Sequence, residues 1–382
     1  MSEPLRIRAA VLRKVRTPLT VEDVLLEPPR TGEVLVHLAA AGVCHSDLHL
    51  ADGDLGEERC PAVLGHEGAG VVESVGEGVA GLEPGDPVAL CFIPSCGVCR
   101  FCRAGHGNLC ERANESSFKD AMLDGTNRLR LPDGEPLKHF LGVACFAERC
   151  VVPADCAVRI PPELPLWQAA LVGCAVVTGV GAVRNAARVA SGDSVCVVGC
   201  GGVGLQVIAA ALLAEAGPIV AVDRVPEKLE RALARGATHA VDAAGEKPAR
   251  QVRRLTGGGV DHAFEVVGTS ETIRLAWDVL RPGGTAVVVG LTAQGVDAAV
   301  PAIEFLSEKS LRGSFYGSGN PAHEIADLAG LVAAGHFDVA STVSHLTDLT
   351  GIEEAFGRMR RGEGARTVAV IDPELAGAPD SL

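Results

Sequence analysis

The 382-residue sequence predicts an α/β chain in which a doubly wound parallel-sheet domain is inserted into a β-rich domain made from both ends. Three observations carry this. The length suits two domains, each able to bury a core of its own. Over residues 5–159 short apolar runs are broken by Gly, Pro and acidic turns, the texture of short antiparallel strands. From about Cys174 onward apolar runs alternate with helical stretches, and that alternation builds a parallel sheet.

The elements follow in order. Residues 32–38 and 70–76 read as strands of the first domain. Residues 194–198, 219–222, 261–266 and 285–289 read as strands of the second, with helices over 202–216, 226–235 and 271–280 between them. A further β-like run starts at Leu311, and a terminal strand spans 366–371. The expected boundaries are 1–174 with 316–382 for the β-rich domain and 175–315 for the parallel-sheet domain. No repeats or low-complexity tracts interrupt them.

Composition excludes several classes of function. Apolar residues make up 47% and charged residues 21%, with no apolar run near the ~20 residues of a bilayer span and no basic, apolar leader at Met1. A soluble, cytoplasmic protein with no membrane partner is expected. The net charge of -14 and pI near 5.3 leave no basic surface for phosphates, which argues against a nucleic-acid partner. Thirteen cysteines in such a chain point to metals or catalysis rather than disulfides.

The apolar run Val195-Cys196-Val197-Val198 enters Gly199-Cys200-Gly201-Gly202-Val203-Gly204 and then an apolar helix. Gly199 permits the tight turn, Gly201 lets backbone approach a pyrophosphate, and Gly204 lets helix pack on strand. The helix N-terminus offers unpaired N–H groups to the anion. A second strand ends in Asp223, 24 positions beyond Gly199, where a carboxylate accepts hydrogen bonds from ribose hydroxyls. It would repel the extra phosphate of NADP, so NAD is the expected cofactor, although Arg224 beside it leaves room for NADP.

Cys96, Cys99, Cys102 and, after seven residues, Cys110 put four thiols in one Gly-containing loop. Four thiolates close a tetrahedral zinc site with no open position, hence a structural one. An iron–sulfur cluster is the competing use of such spacing, although its usual continuation differs. Elsewhere, Cys44 in Gly42-Val43-Cys44-His45-Ser46-Asp47-Leu48-His49, His66 in Gly65-His66-Glu67-Gly68, and Cys174 supply two thiolates and an imidazole. Such a set leaves zinc an open fourth position for chemistry.

These segments, together with the four-cysteine loop and the glycine turn, resemble the zinc-containing alcohol dehydrogenases of the medium-chain dehydrogenase/reductase family over nearly the whole chain. The family's Gly-His-Glu signature falls at Gly65-His66-Glu67, followed by Gly68-Ala69-Gly70 and Val75-Gly76. The resemblance implies a Rossmann domain inserted in a GroES-like catalytic domain, two zinc ions per subunit and reversible hydride transfer between NAD and an alcohol held on zinc as its alkoxide. Cys44, His66 and Cys174 are the implied catalytic ligands, Glu67 an occasional or outer carboxylate, and Asp47 the partner orienting His66. Ser46 would start a proton relay through the cofactor ribose to His49, whose alternative is an ordinary surface imidazole. His45 and Arg366 would meet the pyrophosphate, with a solvent-facing turn the alternative for His45, while Thr178 would pack on the nicotinamide. Gly202 and Val203 belong to the implied cofactor contact as well.

By the same resemblance Phe92, Phe140, Leu141 and Leu291 line the substrate channel, which suits hydrophobic primary alcohols and aldehydes. Ser46, smaller than the threonine often found there, leaves volume for aromatic or branched substrates. The segment from Glu111 to Ser116 is similar in length to that of glutathione-dependent formaldehyde dehydrogenases, but their binding arginine is replaced by Asn114 and a tyrosine by His49. That thiol-adduct reading stands as the alternative, and a non-catalytic zinc and dinucleotide binder as a third. The stretch from Glu111 to Phe140 resembles the longer, usually dimeric members, so a homodimer is expected. Cys60, Cys91, Cys145, Cys150, Cys156, Cys196 and Cys200 have no pairing logic and are expected to be buried small hydrophobes.

Overall fold

The computed structural model describes residues 3–379, and the chain divides into two compact units, Met1–Cys174 with Asn320–Leu382 and Ala175–Gly319. In the first, the strands Leu5–Leu12, Thr20–Leu26, Leu129–Arg130, Pro136–His139 and Ala62–Val63 close a small barrel. Alternation fills it: Ile7, Ala9 and Val11 of one strand and Val24 and Leu26 of the next point into a core completed by Val63, Leu129 and Leu137. Beside the barrel, a second sheet runs in the order Ala157–Arg159, Pro87–Leu90, Glu67–Val75, Glu33–Val43, Arg366–Val370, Val343–Thr347, with Arg149–Pro153 also paired to Glu33–Val43.

Glu33–Val43 is central and buried along almost its whole length, which is why its sequence runs apolar rather than alternating. Its register does the positioning. Gly42 lies opposite Glu67 on one side and Val43 opposite Thr367 on the other, so the ends of three strands deliver Cys44, His66, Glu67 and Arg366 to one place.

The second unit is a six-stranded, all-parallel sheet in the order His239–Asp242, Ile219–Asp223, Val195–Val198, Val260–Glu265, Leu280–Val288, Ser310–Gly313. The order reverses between Val195–Val198 and Val260–Glu265, the switch point at which such sheets bind ligands beyond their C-terminal ends. The strand His239–Asp242 and the helix Pro248–Leu255 were not anticipated from sequence. The strand is an edge with only Val241 buried, so it lacks the apolar run that marks its neighbours.

Two expectations are adjusted. The chain returns to the first unit at Asn320 rather than at residue 316. Residues 316–319 stay with the parallel sheet because Gly317 packs backbone to backbone against Gly181 and its carbonyl accepts from Asn185 Nδ2 at 2.9 Å. An apolar segment long enough to cross a bilayer does exist, Leu166–Ala187, contrary to the sequence reading. It lies buried inside the protein, as a core helix does.

Candidate active site

Cys44, His66, Glu67 and Cys174 converge, with one ligand atom from each within 4.8 Å of all the others, and all four side chains are buried. Cys44 is the N-cap of the short helix His45–Ala51 that follows the central strand. His66 and Glu67 sit where the chain enters the neighbouring strand, and Cys174 comes from the helical segment after Leu166–Leu171. That segment approaches closely only because residue 173 is glycine: a Cβ there would lie 2.3 Å from the Leu90 carbonyl oxygen.

Asp47, fully buried, ties the cluster together. One carboxylate oxygen accepts from Gly65 N at 2.9 Å and meets His66 Nδ1 at 3.2 Å, while the other accepts from Cys44 N at 3.2 Å. His66 therefore presents Nε2 to the cluster, and that nitrogen is buried with no hydrogen-bond partner. An orphaned imidazole nitrogen beside two thiols is the donor set zinc takes. The residues fit the ion.

The four side chains act strongly on one another. The hydrogen bond from Cys174 holds the Cys44 thiol well below its usual range against the opposing effect of burial, aided by the charges of His66 and Arg366. That bond and burial push Cys174 up, so the pair shares a single negative charge. Burial opposes the protonated form of His66, but Asp47 and Cys44 outweigh it and raise the group well above its ordinary value. Glu67 is pushed up to about 8, chiefly by burial, even though Arg366 donates a short hydrogen bond to its Oε2. Arg366, expected at a pyrophosphate, is itself buried and committed to Glu67.

The His66 ring is flanked edge-on by Phe92 and Phe140, with ring centroids at 5.6 and 5.7 Å. Phe140 is covered in turn by the Arg59 guanidinium, which makes two hydrogen bonds to buried Asp120, and Asp120 also accepts from Leu141 N at 2.9 Å. Leu141 adopts a left-handed backbone conformation and is half-buried. Ser46 Oγ lies 3.8 Å from Cys44 Sγ. His45 is exposed on the same helix, and His49 is partly buried with Nδ1 2.7 Å from Asp54 Oδ2.

Cys96, Cys99, Cys102 and Cys110 form the second cluster, again with ligand atoms within 4.8 Å of one another. Backbone N–H groups of Cys96, Cys99 and Cys102 donate to the sulfurs of Cys110, Cys96 and Cys99 at 3.3–3.5 Å. The bond from Cys102 N, first among several, brings the Cys99 thiol down to about 6. Of the seven cysteines expected to be inert, all are buried except Cys60, which is half-buried.

In the second unit, Val195–Val198 leads into the glycine turn and the helix Gly202–Leu213, whose N-cap Gly201 offers no side chain to its own N–H groups. A Cβ at Gly204 would lie 1.9 Å from the Gly199 carbonyl oxygen, whereas one at Gly201 would meet nothing within 4 Å. One glycine admits helix to strand; the other leaves open space over the first helical turn, where an anion fits. Val203 follows Gly202 in that turn, and Thr178 is half-buried in the helix Val177–Gly181. Asp223 ends its strand, with one oxygen accepting from Cys200 N at 2.8 Å and the other from Val225 N at 2.9 Å. Each oxygen retains a lone pair for a further donor.

Sequence reasoning missed Glu265. This buried carboxylate accepts from Val267 N, Gly268 N and Thr272 Oγ1 at 2.7–2.8 Å, and its carbonyl accepts from Val289 N and Gly290 N, joining the two loops beyond the switch point. No motif flags it, because its partners are two backbone N–H groups and one threonine hydroxyl. Leu291, in the second of these loops, is exposed.

A buried thiol and imidazole cluster that fits zinc, and a glycine turn on an inserted parallel sheet, point to a class, the zinc-dependent dehydrogenases. Residues 30–162 match the alcohol dehydrogenase GroES-like domain and residues 202–334 the zinc-binding dehydrogenase domain. The chain belongs to the zinc-binding medium-chain alcohol dehydrogenase family. It is 38% identical over 367 residues to S-(hydroxymethyl)glutathione dehydrogenase of Photobacterium damsela subsp. piscicida, covering 95% of this chain and 99% of that one. The enzyme of the same name from Synechocystis is also 38% identical, with the same coverage. Among solved structures, an alcohol dehydrogenase zinc-binding domain protein from Burkholderia ambifaria superposes with a TM-score of 0.91 at 36% identity, over 97% of this chain and all of that one. Benzyl alcohol dehydrogenase from Acinetobacter calcoaceticus gives 0.90 at 31% identity, over 96% and 100%.

Proposed function

We propose that this zinc-dependent dehydrogenase oxidises primary alcohols with hydrophobic or aromatic groups, and reduces the matching aldehydes, using NAD. The carrying observation is the buried Cys44, His66 and Cys174 set with Phe92 and Phe140 edge-on to its imidazole. Cys44, His66 and Cys174 would hold the catalytic ion, and zinc there supplies a Lewis acid that polarises the substrate oxygen and lowers an alcohol's pKa. Asp47 fixes the imidazole, and the buried Glu67–Arg366 pair supports the ligands from behind. The apolar rings of Phe92 and Phe140 select the substrate and exclude water, with Leu141 assigned to the same channel.

Ser46 and His49, three residues apart on one short helix and so on one face, would take the hydroxyl proton outward. The turn from Gly199 to Gly204 would seat the pyrophosphate, His45 would contact it, Thr178 would pack on the nicotinamide, and Asp223 would accept from the ribose. Asp223 favours NAD over NADP by charge.

A second reading, oxidation of a hydroxymethyl thiol adduct, is favoured by the names of the 38% identical relatives. Initial rates with benzyl alcohol, ethanol and formaldehyde plus glutathione, each with NAD and NADP, decide. Benzyl alcohol turnover with NAD supports the first reading. Turnover confined to the glutathione adduct establishes the second.

A homodimer is proposed on the open edge of the parallel sheet. The strand Ser310–Gly313 has one sheet neighbour, and Ile303 and Leu306 beside it are 71% and 81% exposed. Sedimentation of Leu306→Asp is expected to show monomer where the parent shows dimer. The absence of disulfides among the thirteen cysteines suits a reducing compartment such as the cytoplasm.

A further inference from the structure

We infer that Asp54 is a positioning residue for proton release, acting through His49, an assignment that rests on the alcohol dehydrogenase reading above. The two residues are brought together by the way the helix His45–Ala51 ends. Its C-cap is Asp52, followed by Gly53 in the left-handed conformation at φ +87°. Gly53 N donates to the Leu50 carbonyl at 3.0 Å and Asp54 N to the His49 carbonyl at 2.8 Å. This is the paired closure that a glycine one residue past the cap allows, and it folds the chain back over the last turn. Asp54 thus lands on the residue five positions earlier, and its Oδ2 lies 2.7 Å from His49 Nδ1.

The contact settles the ring's chemistry. A carboxylate at Nδ1 fixes the tautomer with the proton on that nitrogen, leaves Nε2 as the acceptor, and stabilises the imidazolium once a second proton arrives. The end of the helix adds to this, since its last carbonyls favour a cation in the final turn. Asp54 is partly exposed, so the pair stands between the helix and bulk water.

The other charged groups nearby are committed elsewhere. Asp52 is paired with Arg360, which also bonds Glu353. Arg16 Nε donates to the Asp52 carbonyl, Glu58 lies over Gly56, and Asp47 is directed to Gly65 and His66. Asp54 is therefore the anion that faces His49. In alcohol oxidation the substrate carbon gives a hydride to NAD and the hydroxyl gives up its proton, which His49 accepts at Nε2. The imidazolium then returns the proton to water.

The test uses the full-length, zinc-replete protein and two variants, Asp54→Asn and His49→Gln. NMR of the imidazole nitrogens, with His49 assigned by its loss in His49→Gln, is expected to show the Nδ1-protonated tautomer in the parent and a mixture of tautomers in Asp54→Asn. The acid limb of the alcohol-oxidation profile should move to lower pH in Asp54→Asn. An unchanged tautomer and limb in Asp54→Asn, with the limb displaced in His49→Gln, overturns the role of Asp54 and leaves His49 as the exit. If His49→Gln itself leaves the limb in place, His49 is not the exit and the role of Asp54 falls with it.

Discussion

Asp47 receives Cys44 N, Gly65 N and His66 Nδ1 with one buried carboxylate, so it fixes two metal-ligand segments at once. Replacing it by Asn should lower catalytic-site zinc affinity by about 10- to 100-fold, read by competition with a chromogenic chelator, while the four-cysteine cluster keeps its metal. Gly42 is as constrained. A Cβ there would lie 2.3 Å from Glu67 Oε2 and 2.9 Å from Leu171, so Gly42→Ala should cost about 1–3 kcal/mol in urea unfolding. His139 carries a pH signature. Fully buried, it accepts at Nε2 from Arg128 N and Leu129 N at 3.0 and 3.1 Å, and burial, helped by Arg128, brings its pKa down to about 3 from 6.5. The unfolded chain then binds the proton more readily, so this stability is fully present above pH 6.5 and is lost as pH falls toward 3. Unfolding free energies of the parent should slope downward through that window, and those of His139→Gln should slope less.

At the scale of elements, the four-cysteine loop and the glycine turn are each built to accept a ligand rather than to pack a core. Cys99→Ser should take metal content from two ions per chain to one and open residues 96–110 to limited proteolysis, since the loop has little apolar interior of its own. Gly204→Ala drives a Cβ into the Gly199 carbonyl oxygen. It should abolish dinucleotide binding, measured by fluorescence of the bound reduced cofactor, with both zinc clusters still loaded.

At the scale of the whole molecule, stability is expected to depend on metal. Chelation of both clusters should lower the thermal midpoint, and added zinc should restore it in a concentration-dependent way, as mass action requires. Much of this was legible in the sequence because it rests on local spacing. The glycine turn, the four cysteines within fifteen residues and the alternation of strand and helix are short-range patterns whose geometry is nearly fixed once written. The edge strand His239–Asp242, by contrast, buries too little to announce itself. The rest was decided by tertiary structure, because it depends on which distant segments share an edge. Strand register brings Arg366 to Glu67 across 299 residues and commits it there, and burial turns Leu166–Ala187 from a candidate membrane span into a core helix. The backbone bonds of Glu265 and the return of Asp54 onto His49 are likewise invisible to spacing. Residue types determine which chemistry is available; three-dimensional register determines which groups are near enough to perform it.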